Sequence, residues 1–250
     1  MPNFRFCAML FACFCLCACQ KAEQRPAKVV CVLFDFSEST NFPKIRQRYG
    51  KDFRVIQTRI APGDVIAACP ITEKSIAEQE LILRCEFPVF TPSSDNLLIK
   101  RGELRQFEAK IKTIRDSLGA VVDSALMASQ RKVLRTDVMS ALHVAERIFK
   151  AFAQPRKVLV LISDMIEESE SYNFVTEKLN PERTRAIIAA ERQNRRLADL
   201  TGVKVYVIGA NAATREKFFA VRDFWLDYFR ACGANIPHEN YGAALVNFEE

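Results

Sequence analysis

Two stretches of this chain are apolar almost without interruption, and each ends at an aspartate. Val29 to Phe34 runs into Asp35, and Val158 to Ile162 runs through Ser163 into Asp164. Uninterrupted runs of this length predict strands buried on both faces of a parallel sheet, at about 28–34 and 157–162. Val65 to Ile71, after the Pro62-Gly63-Asp64 turn, and Val203 to Ile208, closed by Gly209, predict two more. Leu81, Leu83, Cys85 and Phe87 alternate with Ile82, Arg84 and Glu86. That period of two predicts a half-exposed strand, antiparallel and at an edge.

Between the strands the period changes to three or four. Leu104, Phe107, Ile111, Ile114, Leu118, Val121 and Ala125 outline an amphipathic helix from about 101 to 129, with a coiled-coil seam as the alternative. A shorter helix is expected over 41–50. Thr136-Asp137 caps another, with a face of Val138, Leu142, Ala145, Phe149 and Phe152, which stops before Pro155. Asn180-Pro181 opens a helix running to about Leu200, and a last one covers about 213–232, ending at Gly233. Strands alternating with helices predict an α/β fold: three layers, doubly wound, with a mostly parallel sheet and one antiparallel edge strand. Open sheets of this kind place ligand sites at the carboxyl ends of their strands. Asp35 and Asp164 both fall there.

The first residues do not belong to that domain. Arg5 precedes an apolar segment from Phe6 to Leu16, of signal-peptide length and too short to span a bilayer. Leu16-Cys17-Ala18-Cys19 resembles the lipobox of bacterial lipoproteins. The resemblance implies a signal peptide over 1–18, lipidation of Cys19, and a lipidated tether over 19–27 leading into a domain at 28–250. Several acyl chains give stable anchoring where one would be marginal. Gln20 after the cysteine is the residue type that implies the outer membrane, facing the periplasm. A plain secretory signal with Cys19 incidental is the alternative.

Composition adds little beyond this. The chain has 250 residues, 49% of them apolar, and a net charge of +6. The basic residues are dispersed and accompany no nucleic-acid-reading module, so no nucleic-acid partner is expected. Setting aside the leader cysteines and Cys19 leaves Cys31, Cys69, Cys85 and Cys232, in a compartment that permits disulfides. Cys69 and Cys85 lie on candidate neighbouring strands and form the expected pair. Cys31, inside a buried strand, reads as a small core residue.

Asp35-Phe36-Ser37-Glu38-Ser39 places three oxygen-bearing side chains at alternate positions just after a strand. The stretch matches the DxSxS motif of von Willebrand factor A domains, and residues 28–233 resemble that family. Thr136 in Arg135-Thr136-Asp137 matches the family's metal-facing threonine, and Asp164 its aspartate after the fourth strand, with Met165 where Gly is usual. The resemblance implies a metal-ion-dependent adhesion site made of Asp35, Ser37, Ser39, Thr136 and Asp164. The implied cofactor is Mg²⁺, or Mn²⁺ or Ca²⁺. The implied partner is a protein whose acidic residue completes the coordination. The donor set is chemically apt, because magnesium takes oxygen ligands and keeps several waters.

Other readings compete. Ser and Asp at these positions also cap helices, which would leave a metal-free structural lipoprotein of an envelope complex. A hydrolase is the third reading, but no enzymatic activity is expected. A dehalogenase-type phosphatase needs an aspartate where Ser37 stands. A serine hydrolase needs a GxSxG elbow and a partner histidine, and His143 and His238 read as structural. Glu167, Glu168 and Glu170 are expected in a solvated loop or helix start, with partner selection as the alternative. Arg183, Arg185, Arg192, Arg195 and Arg196 are expected on a solvated helix face, and the aromatic residues of 218–229 mostly in the core. The sequence therefore predicts a lipid-anchored envelope module attached to the membrane through its N-terminal lipid.

Overall fold

A computed structural model describes residues 25–73, 81–128, 135–246 and 248. The expected signal peptide over 1–18, Cys19 and most of the expected tether lie outside them. Five strands form one sheet: β1 (Lys28–Asp35), β2 (Val65–Ile71), β3 (Leu83–Glu86), β4 (Arg156–Ile162) and β5 (Val203–Ile208). Their spatial order is β3-β2-β1-β4-β5. The β1–β2, β1–β4 and β4–β5 pairs are parallel, and β3 is antiparallel to β2 at the edge. The architecture is the α/β arrangement that the alternation of elements predicts.

Side-chain alternation along β1 divides the core. Val29, Cys31 and Leu33 face one side with Leu159, Leu161 and Val205. There they meet the helices α3 (Val138–Ala151), α4 (Pro181–Gln193) and α5 (Arg215–Ala231). Val30, Val32 and Phe34 face the other side, against α1 (Pro43–Thr58) and α2 (Leu97–Ala128). Both faces of β1 are covered along its whole length, which is why its sequence shows no polar alternation. Of the aromatic residues in α5, Phe224, Trp225 and Phe229 are buried, as expected.

Several boundaries differ from the periodic reading. α1 continues past Gly50 to Thr58, because Tyr49, Phe53 and Ile56 extend its buried stripe. Gly50 is a close-approach residue: a Cβ there would sit 2.7 Å from Asp123 Oδ1 on α2. α2 starts a turn early, where Asn96 Oδ1 accepts from the Leu98 amide at 2.9 Å. α4 stops at Gln193 instead of reaching Leu200, and Arg195 turns the chain with a left-handed φ of 54°.

The disulfide expected between Cys69 and Cys85 is not formed, and both thiols are free. Cys85 pairs across the ladder with Ile66, three residues before Cys69. Cys69 faces the α3 side of the sheet and Cys85 the α1 side, so their sulfurs lie on opposite faces.

Candidate metal centre

The site starts where β1 runs out of apolar residues. Asp35 is fully buried, and its carboxylate accepts from the Ser37 amide at 2.8 Å and the Ser163 hydroxyl at 2.7 Å. A short 3-10 turn over Glu38–Thr40 follows. Thr40 Oγ1 ties that turn back to the carbonyls of Asp35 and Ser37, at 2.9 and 3.0 Å. The turn brings Ser37 Oγ and Ser39 Oγ to 3.0 Å from each other. Ser39 Oγ donates to Asp164 Oδ2 at 2.7 Å, and Asp164 Oδ1 accepts from the Ile166 amide at 2.9 Å.

Asp164 is aimed by the residue after it. Met165 holds a left-handed φ of 66°, a conformation that glycine adopts without cost and other residues do not. Ser163 Oγ accepts from the Met165 amide at 2.9 Å, and Trp225 Nε1 donates to the Met165 carbonyl at 2.8 Å. The buried Met165 side chain anchors the turn that glycine would leave free.

Four of the five residues singled out by sequence therefore form one connected group: Asp35, Ser37, Ser39 and Asp164. Thr136 is buried and brought to the same edge through its backbone, whose carbonyl accepts from the Glu168 amide at 2.8 Å. Among the described residues, no side-chain hydrogen bond ties Thr136 to the other four.

Three neighbours escape sequence reading. Ser163 holds Asp35 but belongs to the strand end 128 positions later. Arg46, nearly buried on α1, lays its guanidinium over the Phe36 ring at 4.5 Å. Its Nε and Nη1 find no hydrogen-bond partner among the described residues. Glu167 is fully buried, which corrects the expectation of a solvated loop. Its Oε2 accepts from the Val138 and Met139 amides at 2.9 and 3.3 Å, so it holds the first turn of α3 against the loop after β4. A cluster of three glutamates carries no local signal of which one turns inward.

Burial pushes the Asp164 carboxyl up to about 7, and the charge of nearby Asp35 adds to the effect. Burial also raises Asp35, against hydrogen bonds from Ser163 and Ser37 and the positive charge of Arg46. Two buried carboxyl groups this close, one raised by the charge of the other, favour positive charge placed beside them. Ser39 and Asp164 open onto a cavity of about 290 Å³, whose wall includes Arg48, Tyr49 and Asn211. Among the described residues, no three His, Cys, Asp or Glu side chains gather as a metal site. A cation placed here would meet hydroxyls and two carboxylates, a hard-oxygen donor set of the kind that Mg²⁺ or Mn²⁺ takes. The residues present fit such an ion.

His143 is held at both ring nitrogens: Nδ1 lies 3.1 Å from Glu146 and Nε2 3.0 Å from the Arg196 carbonyl. The arginines of α4 and its exit are solvent-exposed; Arg183 pairs with Glu177 and Arg196 with Glu191.

No family model matches the sequence, and no curated protein matches it. Solved structures do. The D319A mutant of the PilB minor pilin from Streptococcus sanguinis overlaps with a TM-score of 0.52 at 11% identity, over 90% of this chain and 59% of that one. A von Willebrand factor type A structure from Catenulispora acidiphila overlaps at 0.38 and 16% identity, over 83% of this chain and 43% of that one. Manganese-loaded Plasmodium vivax TRAP protein overlaps at 0.39 and 12% identity, over 88% and 69%. This chain spans less than half the length of the Catenulispora structure it matches.

Proposed function

We propose that this chain is a von Willebrand factor A-like binding module of the bacterial envelope, anchored by lipid at Cys19. It holds a divalent cation with Asp35, Ser37, Ser39, Thr136 and Asp164 and binds, through it, an acidic side chain of a protein partner. The observation that carries the reading is the connected group of Asp35, Ser37, Ser39 and Asp164 at the carboxyl edge of the sheet. The left-handed turn at Met165 supports it, since it occurs where the family usually has Gly. A bound divalent cation supplies an open coordination position for a carboxylate. Asp35, buried and doubly hydrogen-bonded, fixes the inner wall of the site, while exposed Ser39 and half-buried Asp164 form its mouth. Such a module binds and does not catalyse.

Membrane attachment rests on the lipobox-like Leu16–Cys19, because no helix among the described residues is long and apolar enough to cross a membrane. A Cys19→Ala chain is expected in the soluble fraction, where the native chain sediments with membranes. Titration calorimetry tests the site: Mg²⁺ or Mn²⁺ should give a binding heat that Asp35→Ala abolishes. Equal heats in the two proteins would sink the reading.

One observation favours a second reading. The hydrogen bonds from Ser39 to Asp164 and between Ser37 and Ser39 close the group on itself, and Arg46 already sets positive charge beside Asp35. This arrangement suits a metal-free structural lipoprotein, and the same titration would then show no heat in either protein.

A further inference from the structure

The amino edge of the sheet, opposite the candidate metal centre, carries an unusual surface. Arg115 on α2 lies level with the end of α1, since it donates to the Ile60 carbonyl and its own carbonyl accepts from Gln57. The part of α2 before Arg115 is roughly 27 Å long at 1.5 Å per residue. Ile111 is buried and Phe107 and Ile114 still pack on the core, so the turns before Phe107 are the part that reaches out as an arm, with the 89–96 segment folded along it through the Phe90–Phe107 ring contact and the Ser93–Glu103 hydrogen bonds.

The tip of this arm is apolar and exposed: Leu97 is 68% exposed, Leu98 78% and Ile99 49%. Val89, at the base, is 65% exposed. Interleaved with them are Lys100, Arg101 and Arg105, all exposed, while the one acid of those two turns, Glu103, is engaged by Ser93. A Cβ added at Gly102, on the same face as Leu98, Arg101 and Arg105, would meet nothing within 4 Å. Aliphatic side chains this exposed in a row are uncommon where only water is to be met.

The chain itself indicates what meets them. Residues 1–24 precede Arg25, which donates to the Arg59 carbonyl and pairs with Asp64 at this same edge. Ala27 and Val89 flank Gly63 together, at 3.8 and 3.5 Å from a Cβ placed there. The tether therefore enters the domain beside the base of the arm. We infer that the Leu97–Arg105 arm is a membrane-docking element, with its aliphatic residues in the headgroup region of an anionic bilayer and its basic residues on lipid phosphates. A second copy of the chain is the poorer occupant, because two such arms would bring like charges together. β1 spans about 23 Å between the edges, so docking here would turn the candidate metal centre away from the lipid. The inference rests on the membrane attachment proposed above only for bringing the bilayer within reach.

The chain has one tryptophan, Trp225, fully buried in the core, so an introduced indole can be read against a constant background. The full chain, purified from membranes, would be reconstituted into phosphatidylglycerol/phosphatidylethanolamine vesicles with brominated acyl chains, as Leu98→Trp and as Val175→Trp. Val175 is exposed in the loop after β4, at the opposite edge. Vesicle flotation reports attachment, and quenching reports docking. The expected result is that both variants float and the Leu98→Trp emission falls by about half, as for an indole 5–10 Å into the interface, while the Val175→Trp emission is unchanged. Flotation with equal quenching at the two positions would overturn the docking and leave the anchor standing. Failure to float would overturn both. A Leu98→Trp emission already shifted to the blue without vesicles would also overturn the docking, by showing that the arm is covered by the protein itself.

Discussion

Replacing Glu167 tests how the two halves of the candidate site are joined. Its carboxyl group accepts from the Val138 and Met139 amides, the first free donors of α3, and so connects the segment that carries Thr136 to the loop that carries Asp164. Glu167→Ala leaves two buried amides without a partner. At about 1–1.5 kcal/mol for each lost bond, the loss should reach about 3 kcal/mol. For a domain of this size that corresponds to a drop of about 6–12 °C in melting temperature. Glu167→Gln keeps an acceptor oxygen in place and should cost under about 1 kcal/mol near pH 5. The two variants should also differ in pH response. Burial, followed by the charge of Asp137, raises the Glu167 carboxyl well above the usual range. A carboxyl raised by folding contributes stability that is full below its unfolded pKa and is lost as pH rises through the folded value. Urea unfolding at pH 5 and pH 8 should therefore show native stability falling with pH by more than in Glu167→Gln. Glu167→Ala within about 0.5 kcal/mol of the native protein at both pH values would refute the account of this joint.

Two further substitutions test other features of the fold. Met165→Gly relieves a left-handed conformation, about 1 kcal/mol, but removes a fully buried side chain, about 2–4 kcal/mol; urea unfolding should show a net loss of about 1–3 kcal/mol. A gain in stability would show that the side chain does not anchor the turn. The free thiols predict that Cys85, half-exposed, reacts first with an aromatic disulfide reagent in the native protein. Burial raises Cys31 and pushes Cys69 and Cys232 up to about 12, which keeps them protonated and slow. Cys69 and Cys85 peptides joined by a reducible disulfide, two hydrogen atoms lighter than the two free thiols, would contradict the sheet register.

The buried strands were legible because both of their faces are covered. Val29–Phe34 and Val158–Ile162 have no solvent side to call for polar residues, so their sequences are unbroken. The local part of the site was legible for a similar reason, since Asp35, Ser37 and Ser39 lie within one turn and their spacing alone sets them on one side. What depends on register or tertiary approach was not. Whether Cys69 and Cys85 share a face is decided by the β2–β3 pairing, which no local pattern fixes. Gly50 reads as a helix stop until the packing of α1 on α2 shows why the helix runs through it. Arg195 ends α4 in a conformation usually left to glycine, so its sequence gives no warning. Ser163, Arg46 and Glu167 reach Asp35 or α3 only after the sheet and helices assemble.

In the proposed site, five oxygen-bearing residues at the carboxyl edge of the sheet hold one divalent cation. Anomalous diffraction from crystals grown with Mn²⁺ tests it most directly. The account predicts a single strong peak at the mouth formed by Ser37, Ser39 and Asp164, with the serine oxygens at about 2.0–2.4 Å and Asp35, Thr136 and Asp164 in direct or water-mediated contact. No peak at saturating Mn²⁺, or a peak away from Asp35 and Asp164, would contradict it.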